Sequence, residues 1–205
     1  MVRHTPAVRR ALLATAVAAL TLLSGCGATR GSGGTDDATL VLGSPPRAIH
    51  AGIYTALARD FDGGEGVSLR IREARGDFTI LAAEDLVAAR AGGDDVVGVM
   101  AITQEPLVVL AVARETLDED RDVVDGTVAA LRRGYEEVLK DPELAVETMV
   151  RRVRALDRET LLRDLRRVSP AFTAGVARFG DFDRARLEAF AKRRGIDVDA
   201  AFLLE

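Results

Sequence analysis

The chain has 205 residues, 28 basic against 32 acidic, and a net charge of −4; arginine is interleaved with Asp and Glu, so no basic stripe exists to neutralise phosphates and a nucleic-acid binder is excluded. One cysteine rules out an internal disulfide, and with two histidines it leaves too few ligands for a zinc site and no Cys–His pair in the mature chain.

Arg3, Arg9 and Arg10 precede an apolar run over 11–23, which is shorter than the ~20 residues of a membrane-crossing helix and reads as an export leader over 1–25. The string Leu23-Ser24-Gly25-Cys26 resembles the bacterial lipobox, which makes Cys26 the lipidation site and the membrane anchor; the alternative is an ordinary secreted protein with an incidental thiol. Processing takes three arginines from the 28 basic residues and leaves 25 against 32 acids, a net of −7. Residues 26–37 are glycine, serine and charge without a hydrophobic period, and read as a flexible tether before a domain over 38–205.

Thr39–Leu42 predicts a buried strand stopped by Gly43 and the Ser44-Pro45-Pro46 turn. Ile49, Ile53, Tyr54 and Leu57 lie at helical spacing, and Gly63-Gly64 marks that helix as ended. Val67, Leu69 and Ile71 alternate with Ser68, Arg70 and Arg72 as in a half-exposed strand. Strands are predicted at 78–81, 96–102 and 107–113, with a short helix over 84–91. Strand–helix alternation predicts an α/β lobe over 38–113 with a mainly parallel sheet of about five strands. From Asp118 onward the pattern is helical: a stripe from Val124 to Leu139, a helix opened by Asp141-Pro142-Glu143, one capped by Asp157 and stopped at Ser169-Pro170, and one ending at Gly195.

Ala48-Ile49-His50-Ala51-Gly52-Ile53-Tyr54 with Glu65-Gly66-Val67, Gly76–Leu81 with Asp85-Leu86, Val97–Gln104 with Pro106-Leu107, and RRGYEEVLKDPELAV resemble motifs of extracytoplasmic solute-binding proteins of the thiamine-pyrimidine, nitrate and sulfonate class of ABC importers. The resemblance covers about residues 38–195. It implies one lobe of a type 2 periplasmic-binding-protein fold, a small-molecule solute as ligand, an ABC permease as partner, attachment to the outer face of the cell membrane, and no cofactor.

On that resemblance the ligand-binding candidates are Arg47, His50, Tyr54, Glu84, Asp85 and Gln104. His50 donates and accepts, Tyr54 offers a ring face and a hydroxyl, and Gly52 permits close approach, groups suited to a flat aminopyrimidine. The same His and Tyr, one turn apart, also read as a packed pair. Glu84 and Asp85 suit an exocyclic amine or simply the start of the 84–91 helix, and Gln104 at a strand end can donate and accept. Arg47 stands where many relatives have asparagine, which places a cation beside the ligand.

Two departures stand out. Only Glu73–Asp77 connects the second and third strands, where relatives have a loop and a helix, and five residues cannot hold a useful helix. Relatives also build a second α/β lobe between segments like Leu107–Ala111 and Arg114–Leu117, which here are joined directly. The expected function is therefore a lipid-anchored binding component of an importer for a small heteroaromatic or sulfonate-like solute; the alternative is a truncated, ligand-incompetent lipoprotein acting as a scaffold or partner surface. Ser44 near His50 with no third member does not make a triad, so no enzymatic activity is expected.

Overall fold

The computed structural model of the chain describes residues 35–204, so the leader, Cys26 and the tether up to 34 lie outside the described residues. Strand β1 (Asp36–Val41) leads through the loop 42–47 and a 3-10 turn (Ala48–His50) into helix α1 (Ala51–Ala58), then a one-turn helix α2 (Phe61–Gly64) and strand β2 (Val67–Arg72). Strand β3 (Phe78–Ala82), helix α3 (Ala83–Ala91), and strands β4 (Val96–Gln104) and β5 (Leu107–Ala113) complete the sheet. Helices α4 (Arg114–Glu119), α5 (Arg121–Lys140), α6 (Pro142–Arg152), α7 (Arg158–Phe172), α8 (Arg184–Arg194) and α9 (Val198–Ala201) follow.

The sheet order is β2-β1-β3-β5-β4. Pairing of β1 with β2 and β3 is parallel, while β5 runs antiparallel between β3 and β4, so four of the five strands point one way. The expected α/β class with a mostly parallel five-stranded sheet is what the chain forms, and among the described residues there is no second sheet. No break occurs where a second lobe was expected to be excised: β5 runs unbroken to Ala113 and α4 follows at once. The reversal is instead the turn at Glu105-Pro106, a cis peptide, with the Thr103 hydroxyl donating to the Pro106 carbonyl at 2.5 Å.

Strand β1 begins at Asp36, two residues before the expected start of the domain at 38. Asp36 and Asp37 belong to β1, in register with Val67 and Ser68; their side chains are exposed, so no hydrophobic signal marks them. The expected first helix is broken at Asp60, whose φ of 54° is left-handed, and Gly63-Gly64 lie inside α2 rather than beyond a helix end. Helix α7 passes Pro170 and ends at Phe172; the proline falls in the last turn, and Ser169 donates back to the Leu165 carbonyl at 2.7 Å. Helix caps at Asp141, Asp157 and Asp183 accept from the N–H groups of Leu144, Thr160 and Arg186.

Each face of the sheet has its own core. Ala38, Leu40, Val67, Leu69, Phe78, Ile80, Leu110 and Val112 pack with side chains of α1, α5, α6 and α7. On the other face Val109 and Ala111 pack with Ala83, Leu86, Leu187, Phe190 and Phe202 from α3, α8 and the C-terminal segment. That second layer stops short of β1 and β2. There Asp37, Arg70 and Arg72 are exposed, with Arg70 bonded to Asp37 at 2.8 Å.

Crossing from β2 to β3 in five residues is possible because β3 is staggered. Parallel strands ordinarily need a dozen or more residues to return to the starting edge, yet Phe78 is in register with Leu40, near the end of β1, and only two residues of each strand pair. The connection thus steps across the bare face of β1 at one level. Asp77 fastens it: its carboxylate accepts from the Thr39 N–H at 2.8 Å and hydroxyl at 2.7 Å, and its own N–H donates to the Thr39 Oγ1 at 3.1 Å. The first of these satisfies a β1 donor that lies below the reach of β3.

Replacing Asp77 by Ala is expected to lower stability by about 1–2 kcal/mol in urea unfolding, and Thr39→Val by a similar amount. The double variant should be clearly less than additive, by roughly 1 kcal/mol; full additivity would show that the two residues do not act as one clamp.

Candidate functional site

The carboxyl ends of β1 and β3 face the point where the chain's direction of winding reverses. β1 connects through α1 to β2 on one side, whereas β3, its neighbour on the other side, leads through α3 towards β4, and α1 and α3 lie on opposite faces. Such reversals leave a crevice beyond the strand ends. Gly43 sets its wall: its φ is 68°, and a Cβ there would collide with the Ile80 carbonyl oxygen, so only glycine lets the loop run against β3.

The start of α1 is fixed from below by Tyr135 of α5. Its ring stacks on Phe179 at 4.2 Å between centroids and meets Phe172 edge-on at 5.2 Å, while its hydroxyl donates to the Ile49 carbonyl at 2.5 Å. A Cβ on Gly52 would run into the Tyr135 ring. The bareness of Gly52 therefore serves packing of α1 on α5 and not the approach of a ligand, a correction to the expectation from the motif.

The six candidate side chains do not converge. His50 is fully buried; its Nδ1 accepts from the Arg47 N–H at 3.2 Å and its Nε2 has no hydrogen-bond partner. Burial, helped by the Arg47 charge and partly offset by the Leu42 backbone, lowers its pKa to about 4, so at neutral pH it is an uncharged imidazole inside the fold. Tyr54 is also largely buried, and burial raises its pKa; its exposed part borders a cavity of about 520 Å³ with Leu42, Ser44, Pro45, Pro46 and Arg72. Arg47 and Asp85 line a different cavity of about 180 Å³ with Ser44, Thr79 and Leu81, on the other side of the loop.

Glu84 and Gln104 face a third groove, of about 480 Å³, between the β4–β5 turn and α8. Glu84 lies 3.7 Å from Arg194. Both ends of the Gln104 amide are engaged: Nε2 donates to the Asp181 carbonyl at 2.8 Å and Oε1 accepts from the Asp183 N–H at 3.3 Å. Gln104 thus pins the segment before α8, and the strand-end position that suggested a ligand contact is a packing contact.

What the crevice does offer is the loop 42–47 with a cavity on either side. Ser44 borders both, and its Oγ is buried without a partner. With Arg47 it supplies a cation and a hydroxyl, Thr79 supplies a second hydroxyl, and Asp85 an anion. Thr79 lies inside the Gly76–Leu81 motif without being picked as a ligand contact, and Ser44 was weighed in the sequence only as part of a turn and as an incomplete triad.

No family model matches the chain, and no curated protein does. Among solved structures it is similar to a protein of Bordetella bronchiseptica RB50, with a TM-score of 0.58 and 11% identity over 83% of this chain and 95% of that one. It is also similar, with a TM-score of 0.58 and 9% identity over 82% of this chain and 96% of the other, to a conserved Candida albicans gene product described as defining a new family with the generic periplasmic binding protein fold. The chain shares that fold.

The buried imidazole makes stability depend on pH. Because its folded pKa is about 4 and its ordinary value 6.5, the unfolded chain binds the proton more readily between these values, so stability is intact above about 6.5 and falls as pH drops towards 4. The loss should reach roughly 3 kcal/mol. Thermal unfolding from pH 7.5 to 4.5 should show this fall, and His50→Asn, which keeps an acceptor for the Arg47 N–H, should flatten it; an unchanged profile in the variant would place the titrating group elsewhere.

Proposed function

We propose that this chain is an extracytoplasmic, non-catalytic binding protein, held on the outer face of the membrane by lipid on Cys26, which takes a small polar solute in the crevice at the carboxyl ends of β1 and β3 and passes it to an ABC permease. The observation that carries the reading is the crevice itself: a winding reversal in a binding-protein fold, with Ser44 and Arg47 on the loop that divides it. The leader and the Leu-Ser-Gly-Cys string support extracytoplasmic attachment.

Of the two solute classes suggested by the motif resemblance, the residues favour the sulfonate-like one. A stacked aminopyrimidine needs His50 and the Tyr54 ring face, and both are buried. An exposed guanidinium beside two hydroxyls suits a small oxyanion, with Asp85 available for an amino group on the same solute. Because one sheet presents one jaw, bound solute stays partly wet, and dissociation constants nearer millimolar than micromolar are expected, a difference of about 4 kcal/mol. The openness of the crevice also favours a second reading, in which the fold survives as a partner surface with no solute.

Calorimetric titration with short alkyl sulfonates, aminosulfonates, aminopyrimidines and thiamine separates these readings. Millimolar binding of the sulfonates, weakened about tenfold or more by Arg47→Ala and unchanged by Glu84→Ala, is the expected result. Heats absent for every compound would favour the partner surface.

A further inference from the structure

Away from the crevice, a groove of about 330 Å³ lies between the end of α1 and the outer side of α6, lined by Ala58, Arg59, Leu144, Thr148, Arg151 and Arg152. Three guanidiniums and no carboxylate meet there, on a chain whose overall charge is negative. We propose that this groove is a membrane-facing surface that docks on the headgroups of anionic phospholipids.

Three observations point to lipid. Leu144, Thr148, Arg151 and Arg152 recur at helical spacing on α6 and are exposed or half-exposed, so that stripe faces outward. Arg152 donates to the Leu57 carbonyl at 3.4 Å, Arg151 donates to the Glu147 carbonyl at 3.2 Å and lies 4.0 Å from its carboxylate, and Arg59 forms no ion pair among the described residues, so little of the charge is neutralised. Leu139 and Leu144, at 40% and 37%, are the large apolar side chains left exposed among the described residues, and they flank the same α5–α6 turn. Guanidinium forks beside exposed leucines match a phosphate plane over acyl chains.

Topology supplies the orientation. α1 carries the chain from the carboxyl edge of the sheet back to the amino edge, where Asp36 donates to the Gly66 carbonyl at 2.9 Å as β1 begins. The groove at the end of α1 and the start of the described chain therefore share an edge. Eight residues lie between Cys26 and Thr35, and the nine steps from one to the other reach at most about 30 Å. This step rests on the proposed anchoring at Cys26; the charge and the exposed leucines do not. Docked in this way, the crevice on the opposite edge faces outward to collect solute, and delivery requires the domain to lift from the lipid.

The test is flotation of the full chain carrying Cys26→Ser, with and without Arg59→Gln, Arg151→Gln and Arg152→Gln together, on vesicles of pure phosphatidylcholine or with phosphatidylglycerol added. Both proteins keep the leader, so their difference reports the groove alone, and exposed arginines leave the fold intact, as a circular-dichroism melt verifies. The triple variant is expected to partition at least about tenfold more weakly onto the anionic vesicles and equally onto neutral ones, with the difference shrinking in high salt. Equal partition of the two proteins onto anionic vesicles overturns the proposal. So does a groove that takes soluble glycerol phosphate in titration while giving no difference on vesicles. Failure of Cys26 acylation in cells or of solute binding leaves this comparison unaffected, so the readings fail separately.

Discussion

Much of the molecule follows from one constraint: five residues must join two parallel strands that lie on either side of a third. Glu73–Asp77 is too short to descend the length of β1 and climb back, so β3 begins where β1 is ending and pairs with it through two residues only. No helix covers the second face of β1 and β2, and that face is correspondingly polar, with Asp37, Ser68 and Arg70 bonded among themselves and Thr39 held by Asp77. An apolar face left bare would favour aggregation; the alternation of β2 avoids it. The outer edge of β2 is managed too, since Asp62 accepts from the Leu69 N–H at 3.0 Å and blocks that position to a further strand.

The same stagger shapes the crevice. With β3 raised, its carboxyl end stands beside the loop leaving β1, and Gly43 lets that loop lie against the Ile80 carbonyl. Tyr135 then holds the 3-10 turn below through the Ile49 carbonyl, and packing of Gly52 on its ring fixes the axis of α1. Loop and helix start are thus positioned by Tyr135 of α5, 86 residues from Ile49 in sequence. The crevice is shaped by rigid elements, while no second lobe among the described residues closes over it, which is why its two cavities are both open and why a ligand there keeps contact with water.

What the sequence made legible was periodicity and punctuation. The limits of β5, the caps of α6 and α7 and the stop of α8 at Gly195 are local signals, and the alternation of β2 announced a strand with one wet face. Long-range pairing was not legible: nothing in Asp36-Asp37 distinguishes a strand from a tether until Val67 and Ser68 lie beside them. The candidate site was read least well for a related reason. His50, Gly52 and Gln104 lie where ligand contacts are expected, but each is consumed by a partner far along the chain or by its own turn: Gly52 by Tyr135, Gln104 by Asp181 and Asp183, His50 by burial and the Arg47 N–H. Only Arg47, Asp85 and the rim of Tyr54 stay within reach of solvent in the crevice, and Ser44 and Thr79, neither of them among the candidates read from the sequence, complete it.

The proposed division between residues that hold the fold and residues that would meet a solute is most directly tested by backbone amide NMR during titration with an alkyl sulfonate. The account predicts fast-exchange shifts concentrated at Gly43, Ser44, Arg47 and 79–85, with Gln104, Phe190 and Arg193 undisturbed. Shifts centred on Gln104 and α8, or spread evenly over the domain, would contradict it.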